Sequence, residues 1–276
     1  MNQLPCVLVL AGLDPGGGAG IAADVRAVRV GGAFAAPVAT AITVQSTAGL
    51  ARVEPVRASL VTAQAHEVIA HQRVRAIKIG ALGNAANVAA VAAIVSATDV
   101  PLVLDPVGLA TRATSSSAGA LVDARGFALV RKRLVPRAAI VTANAAEASR
   151  LSGIDVVDLA TAERAARAIV SLGARAALVK GGHFFARGRR DEAIDVLVIG
   201  DALTLLTAPR LARSKTRVIH GAGCVLASLV AARLARMNGA VLDVTLRRAV
   251  RFAKRRHHTW LASGLADVGG PMRVLA

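Results

Sequence analysis

The stretch His220-Gly221-Ala222-Gly223-Cys224 leads into residues 225–229, so a run of small residues is followed by a segment with helical periodicity. This junction predicts a helix N-terminus that a ligand approaches closely, because glycine carries no Cβ. The first N–H groups of a helix have no partner inside the helix, and with the helix dipole they attract anions. Taken alone, the stretch is equally compatible with an ordinary glycine-rich turn.

A second stretch lies near the N-terminus, where the apolar run Val7 to Ala11 precedes the glycine-rich segment Gly12 to Asp24. The apolar run predicts a buried parallel strand. The order strand, glycine loop and helix is typical of α/β proteins, which bind ligands at the carboxyl ends of their strands. Two common nucleotide motifs are excluded, because Ala19 stands where a Walker loop needs Lys and Ile21 stands where the dinucleotide fingerprint needs Gly.

Composition limits the classes of protein that the chain can represent. It has 276 residues, of which 54% are hydrophobic and only 2% aromatic. We therefore expect a large aliphatic core and almost no aromatic platform for stacking nucleic-acid bases. The formal charge of +17 favours an anionic partner, but the basic residues are spread widely along the chain, with the densest clusters at 131–133, 187–190 and 247–256. This spread indicates solvated helix faces and predicts no specific nucleic-acid partner.

The cysteines and the hydropathy pattern bear on location. Two cysteines, Cys6 and Cys224, are too few for a disulfide framework and favour a reducing cytoplasmic setting. The first residues lack the basic segment of a secretory signal. No stretch approaches the roughly 18 uninterrupted apolar residues of a membrane span. We therefore expect a cytoplasmic protein with no membrane partner.

Predicted strands and helices alternate along almost the whole chain, which predicts a mostly parallel sheet covered by helices on both faces. We find no linker that would divide residues 1–276, so we expect a single domain. Polar residues recur just after predicted strand ends and should converge on one rim of the sheet. These residues are Asp14, Gln45, Asp105, Asn144 and Lys180.

Seven segments, taken in order, resemble the hydroxymethylpyrimidine/phosphomethylpyrimidine kinase family of thiamine synthesis, which belongs to the ribokinase-like kinases. Each segment is a weak signal by itself, whereas the ordered set is specific. The segments are Ala11 to Asp24, Thr40 to Thr47, Lys78 to Leu82, Leu104 to Val107, Val141 to Ala148, Lys180 to His183 and His220 to Cys224.

The resemblance implies a ribokinase-like three-layer sandwich and ATP- and Mg²⁺-dependent phosphorylation. Its implied substrates are 4-amino-5-hydroxymethyl-2-methylpyrimidine and the monophosphate of that compound. We also expect a homodimer, although the residues themselves do not define the oligomeric state.

The resemblance also implies roles for particular residues. It places the pyrimidine pocket at Gln45, Asp24, Gly12 and Val44. It places the nucleotide site at Lys180, Asp105, Asn144 and His183, with Mg²⁺ organised by Glu147 and Asn144. It assigns catalysis to Cys224 and to a phosphoryl cradle of Gly221, Ala222 and Gly223.

Phosphoryl transfer needs alignment and charge neutralisation more than covalent chemistry, and these residue types supply both. A thiol at a helix N-terminus has a lowered pKa, so we expect Cys224 to be a reactive thiolate and a general base. Departures from the family pattern include Ser46, Ala143 and residues 110–117. These departures are expected to affect the reaction rate, the substrate preference and the closure of the protein over the nucleotide.

Three alternatives remain at this point. One is a kinase for pyridoxal-type vitamers. In that reaction, too, a ring hydroxymethyl group of the substrate attacks the phosphoryl group. The second is a ligand-binding homologue without turnover. The third is a nucleic-acid-binding or structural protein, which the charge suggests and the spread of the charge disfavours.

Overall fold

The computed structural model describes residues 3–110, 114, 119–182, 191–211, 219–237, 241–269 and 271–275. Its large sheet contains β1 (Cys6–Leu13), β2 (Phe34–Ser46), β3 (Gly49–Pro55), β4 (Val74–Ile79), β5 (Leu102–Leu104), β6 (Ile140–Ala143), β7 (Ala176–Val179), β8 (Glu192–Ile199) and β9 (Ala202–Pro209). The spatial order is β3-β2-β1-β4-β5-β6-β7-β8-β9. The six central strands are parallel to one another; they are β2, β1, β4, β5, β6 and β7. The remaining strands, β3, β8 and β9, pair antiparallel with their neighbours.

Helices cover both faces of this sheet. They are α1 (Gly20–Val30), α2 (Ala58–His71), α3 (Ala85–Ser96), α4 (Ala124–Leu129), α5 (Ala145–Ser152), α6 (Leu159–Ser171), α7 (Ala222–Ala235) and α8 (Leu242–Ser263). Helices α2 to α6 pack on one face, and α1, α7 and α8 pack on the other. The predicted three-layer sandwich with a mostly parallel sheet is confirmed, and the continuous sheet supports the single-domain prediction. None of the helices in the described part of the chain is long and apolar enough to cross a bilayer.

Strand β1 shows why the sheet is buried on both sides. Leu8 and Leu10 point into the core beneath α2 to α6, whereas Val7 and Val9 point into the core beneath α1, α7 and α8. Successive side chains of a strand alternate between its faces, so a strand with a helix layer on each side must be apolar throughout. The run of apolar residues that predicted this strand is therefore continuous because both faces of the strand are buried.

The edge of the sheet that carries Gln45 differs from the sequence prediction. We predict a strand over Pro37 to Val44, but β2 extends from Phe34 to Ser46. Its last four residues lie beyond the end of β1 and pair only with β3, which the sequence analysis does not predict. The β2–β3 hairpin therefore carries Val44 and Gln45 above the rim.

A small second sheet lies at the C-terminal end of the chain. It consists of β10 (Ile219–His220), β11 (Leu265–Ala266) and β12 (Arg273–Leu275), and β12 lies between the other two. Strands of two or three residues are too short to show periodicity, so the sequence gives no signal for them. The pairing of β10 with β12 fixes the chain directly before α7.

Candidate active site

Two glycine loops meet backbone to backbone at the rim of the sheet. One follows β1, and the other joins β10 to α7. Gly221 has a φ of +78°, and a Cβ there would overlap the carbonyl oxygen of Gly18. A Cβ on Gly18 would in turn overlap the ring of His220. Only residues without a Cβ permit this approach, which sets the N-terminus of α7 beside the end of β1.

The N-terminus of α7 also faces a lysine. The N–H groups of Ala222, Gly223 and Cys224 belong to the first turn, where a helix offers them no partner. A Cβ on Gly223 would lie 3.1 Å from the Nζ atom of Lys180. The predicted cradle and the predicted nucleotide-binding lysine are therefore neighbours, and both favour an anion at this point.

Lys180 lies among carboxylates from two other strand ends. Its Nζ atom is 3.4 Å from Asp105 Oδ1 and 3.8 Å from Glu147 Oε2. The Thr142 hydroxyl also donates to Asp105 Oδ1, at 3.4 Å. Burial acts to lower the pKa of Lys180, but the negative charges of Asp105 and Glu147 outweigh it and raise that pKa. The lysine is thus held in its charged form, as phosphate binding requires.

Asn144 and Glu147 form a capping box at the start of α5. Glu147 N donates to Asn144 Oδ1 at 2.9 Å, and Asn144 N donates to Glu147 Oε2 at 2.8 Å. Each residue thereby satisfies a backbone N–H group that the helix leaves unpaired. The box also fixes the direction of the Glu147 carboxyl group, and Asn144 acts as its positioning partner.

This end of the site has features that suit a hard cation. Burial raises the pKa of Glu147 to about 7, and Asp105 adds to the rise against the opposing effect of Lys180. Asp105 Oδ2 is buried and has no hydrogen-bond partner among the described residues. An unsatisfied buried carboxylate oxygen beside a second carboxyl group is a donor set that Mg²⁺ accepts. No cluster of three or more potential metal-binding side chains occurs in the described part of the chain.

The predicted pyrimidine pocket lies on the other side of the glycine contact. The Gln45 amide nitrogen is 2.9 Å from His220 Nε2, and His220 Nε2 is 2.7 Å from Asp14 Oδ2. Gly12 is buried at the end of β1, and Val44 is 51% exposed on β2. The structure therefore brings Gln45 to the rim beside Asp14, which the sequence analysis placed there without a role. It also adds His220, which the sequence analysis quoted without a role.

Asp24 is a correction to the predicted pocket. It is 0% exposed, and its two oxygens accept hydrogen bonds from Lys78 Nζ at 2.9 and 2.8 Å. The Ser228 hydroxyl donates to the same carboxylate at 2.8 Å. A carboxylate satisfied inside the core does not line an open pocket, so Asp24 supports the site from beneath by holding Lys78. Lys78, the one charged residue among the four buried residues that end β4, was the available signal for this ion pair.

Cys224 is a second correction. Burial raises the pKa of its thiol to about 12, and the opposing effect of Lys78 is smaller. The sulfur atom accepts a hydrogen bond from the backbone N–H of Gly20. Loss of hydration therefore outweighs the helix dipole, and the expected thiolate is wrong. Cys224 lies at the predicted place but carries a neutral thiol.

Two histidines complete the comparison with the sequence prediction. His183 lies outside the described residues, so its predicted role stays a prediction. His257 on α8, which the sequence analysis did not single out, hydrogen-bonds to the backbone of Ala222. Burial and then the charges of Lys254 and Lys180 lower the pKa of His257 to about 3, so the ring is neutral. The position of His257 beside Ala222 is known only from the fold, in which α8 approaches the start of α7.

A covered parallel sheet with a lysine, two carboxyl groups and a free helix N-terminus at its rim defines a ribokinase-like small-molecule kinase. The family model for phosphomethylpyrimidine kinase matches residues 14–267. The chain therefore belongs to the phosphomethylpyrimidine kinase family.

Similar proteins agree with this assignment. The hydroxymethylpyrimidine/phosphomethylpyrimidine kinase of Streptomyces coelicolor is 39% identical over 89% of this chain and 86% of its own length. The structure of the Clostridium difficile phosphomethylpyrimidine kinase aligns with a TM-score of 0.72 at 27% identity, over 92% of this chain and 99% of its own. Staphylococcus aureus pyridoxal kinase, in complex with AMP-PCP and pyridoxal, aligns with a TM-score of 0.82 at 25% identity, over 100% and 94%.

The environment of Cys224 predicts a slow thiol. At pH 8 a pKa of about 12 lowers the thiolate fraction by roughly three orders of magnitude relative to a free cysteine. A thiolate of higher pKa is more nucleophilic, which raises the alkylation rate again by about one and a half orders of magnitude. We expect iodoacetamide to alkylate Cys224 in the native protein roughly 50-fold more slowly than a free thiol. Peptide mass spectrometry over a time course measures this rate.

A Cys6→Ala variant isolates the signal from Cys224, and the same protein in denaturant supplies the unprotected rate. Cys6 is itself buried, and burial raises the pKa of its thiol. If Cys224 in the native protein is labelled as fast as in denaturant, its thiol is not protected by the fold. The hypothesis that Cys224 is a thiolate base would then stand.

Proposed function

We propose that this chain is a hydroxymethylpyrimidine/phosphomethylpyrimidine kinase of thiamine synthesis. It transfers the terminal phosphoryl group of ATP to 4-amino-5-hydroxymethyl-2-methylpyrimidine and then to the monophosphate. The observation that carries this proposal is the contact between the two glycine loops. Gln45 lies on one side of the α7 N-terminus and Lys180 on the other, which supports an amide that reads the ring and a lysine that binds phosphate.

The phosphate end works through charge and alignment. Lys180 and the backbone N–H groups of residues 222–224 face the same point, where they neutralise the charge on the transferring phosphoryl group. Such pre-arranged donors stabilise the transition state without having to reorganise during the reaction. Phosphoryl transfer requires little covalent participation from the protein, so these donors provide most of the stabilisation of the transition state. Asp105 keeps Lys180 charged and in position.

Glu147 and Asp105 are the residues that would hold Mg²⁺, and Asn144 orients Glu147. Bound Mg²⁺ would supply charge neutralisation for the phosphate oxygens of ATP. The unpartnered Asp105 Oδ2 atom and the raised pKa of Glu147 support this assignment, because a bound cation would satisfy the first group and favour the ionised form of the second. Two carboxyl groups are enough for Mg²⁺, which keeps several waters and takes other ligands from the phosphates.

The substrate end uses Gln45, Val44, Gly12 and Cys224. The Gln45 amide offers a donor and an acceptor to the ring edge, and Val44 offers an exposed apolar surface. Gly12 lets the ring approach the end of β1 because it has no side chain. Cys224, as a neutral thiol, orients the hydroxymethyl oxygen as a hydrogen-bond partner and does not remove its proton in advance.

Three further predictions accompany this function. We propose a homodimer, a cytoplasmic location and no specific nucleic-acid partner. The two free cysteines support a reducing compartment. The wide spread of basic residues along the sequence supports the absence of a sequence-specific nucleic-acid contact.

A pyridoxal-type vitamer kinase is the second candidate. It is favoured by the likeness of the whole chain to the Staphylococcus aureus pyridoxal kinase. Both substrates attack with a ring hydroxymethyl group, so the phosphate end does not distinguish them. The difference must arise at Gln45, which faces the ring.

The purified protein, with ATP and Mg²⁺, is expected to phosphorylate the hydroxymethylpyrimidine with a higher kcat/KM than pyridoxal. Gln45→Ala should raise the KM for the pyrimidine about tenfold, because loss of the amide leaves a polar ring atom unpaired. The KM for ATP should stay unchanged. A coupled assay of ADP formation measures both constants.

Gln64→Ala is the matched control, because Gln64 bonds only to its own helix at Leu60. Turnover of pyridoxal with no turnover of the pyrimidine would establish the second candidate. Turnover of neither would leave a binding protein. Equal losses for pyrimidine and ATP would remove Gln45 from the pocket.

Glu147→Gln tests the metal assignment. The amide keeps the capping hydrogen bond of α5 but loses the negative charge, so the Mg²⁺ concentration for half-maximal activity should rise by at least about tenfold. A Mg²⁺ titration at saturating ATP measures this shift. Glu163→Gln, which changes an exposed carboxylate paired with Arg167, should leave the titration unchanged. An unaltered titration for Glu147→Gln would return Glu147 to a purely capping role.

A further inference from the structure

Asp14, His220 and Gln45 form a chain of side chains, and the mechanism above uses only Gln45 of the three. His220 Nε2 lies 2.7 Å from Asp14 Oδ2 and 2.9 Å from the Gln45 amide nitrogen. Asp14 and His220 are buried, whereas Gln45 is half-buried near the end of β2. One ring nitrogen of the histidine thus contacts both a carboxylate and an amide.

Asp14 must act as an acceptor in this chain. Its Oδ1 atom accepts the N–H of Gly16 at 2.9 Å, and its Oδ2 atom accepts the N–H of Ala19 at 2.8 Å. Burial acts to raise the pKa of Asp14, but its hydrogen bonds to His220 and to these backbone donors lower that pKa below its ordinary value. An ionised carboxylate accepts hydrogen bonds and donates none, so the 2.7 Å contact requires a proton on His220 Nε2.

The other ring nitrogen agrees with this tautomer. His220 Nδ1 is buried and has no hydrogen-bond partner among the described residues. An N–H group there would be a buried donor without an acceptor, which native structures rarely contain. A bare lone pair is the less costly state. The proton of a neutral His220 therefore lies on Nε2, between Asp14 and Gln45.

This proton dictates which end of the Gln45 amide faces His220. A half-turn of the amide exchanges its oxygen and nitrogen, and the hydrogen-bond network decides between the two arrangements. Two N–H donors do not bond to each other, so the amide oxygen faces His220 Nε2 and shares its proton with Asp14. The amide NH₂ group then points away from His220, towards the pocket.

We propose that the Asp14–His220 pair is a positioning device that fixes the Gln45 amide, so that Gln45 donates an N–H to an acceptor nitrogen of the substrate ring. This inference rests on the proposed function, in which Gln45 reads the ring. The substrate class that it selects is a 4-aminopyrimidine, whose ring nitrogen beside the amino group is an acceptor. The 4-oxo analogue, which carries a hydrogen on that nitrogen, would place a donor against a donor.

The tautomer can be measured directly on the wild-type protein, without substrate. Long-range ¹H–¹⁵N correlation spectra of histidine-labelled protein show which ring nitrogen carries the proton, and His220→Gln identifies the His220 signals by their loss. We expect the proton on Nε2 at pH 7.5. A proton on Nδ1 alone would overturn the proposal, whatever the enzyme phosphorylates.

The specificity can be measured with the 4-amino and 4-oxo hydroxymethylpyrimidines as paired substrates. His220→Phe and Asp14→Asn should each reduce the ratio of the two kcat/KM values by about tenfold, because the amide is then free to turn. His220→Gln keeps a donor for Asp14 and should retain more of the ratio than His220→Phe. Ratios equal to that of the wild type in both His220→Phe and Asp14→Asn would overturn the proposal.

Thr43→Val is the matched control. The Thr43 hydroxyl donates to the carbonyl oxygen of Leu13 at 2.9 Å and links the same strand and loop without touching His220. It should leave the substrate ratio unchanged, and a reduced ratio there would assign the effect to general loosening of the loop. If the wild type phosphorylates neither pyrimidine, the proposed function fails, while the tautomer measurement still decides the role of Asp14 and His220.

Discussion

The site depends on the backbone contact between the loop after β1 and the loop before α7. A Cβ on Gly221 would overlap the carbonyl oxygen of Gly18, and a Cβ on Gly18 would overlap His220. Two segments about 200 residues apart in the sequence therefore meet only because neither carries a side chain at the contact. The small sheet that pairs β10 with β12 holds the second loop from behind. The contact sets the N-terminus of α7 beside the end of β1.

Burial outweighs nearby positive charge at Cys224 and Glu147, whereas the negative charges beside Lys180 outweigh burial there. Cys224 lies at a helix N-terminus and near Lys78, yet burial raises the pKa of its thiol to about 12. Asp24 and Lys78 remain a buried pair because each satisfies the other, and removal of one partner from such a pair costs about 3–5 kcal/mol. The same loss of hydration raises the pKa of Glu147 to about 7, and Asp105 Oδ2 is buried with no hydrogen-bond partner in the described part of the chain. A site of this kind favours a bound cation and a polyanion.

The sequence predicts the layers and the rim, because alternating apolar strands and polar strand ends are local signals. Lys180, Asp105 and Glu147 meet as strand-end reasoning requires. The hairpin β2–β3, the short strand β12 and the approach of His257 to Ala222 depend on long-range packing, and no periodicity encodes them. The ionisation of Cys224 and the location of Asp24 were mispredicted for one reason. Residue type and position in a helix are local signals, whereas the degree of burial is known only from the fold.

The loop contact is tested most directly by the free energy of unfolding of Gly221→Ala against that of Gly153→Ala. The two glycines have φ values of +78° and +77°, but a Cβ on Gly153 would meet nothing within 4 Å. Both variants carry the cost of left-handed backbone, about 1 to 2 kcal/mol, and only Gly221→Ala also forces the two loops apart. Urea unfolding should therefore show that Gly221→Ala loses at least about 2 kcal/mol more than Gly153→Ala. Equal losses in the two variants would mean that the loops do not touch, and would contradict the account.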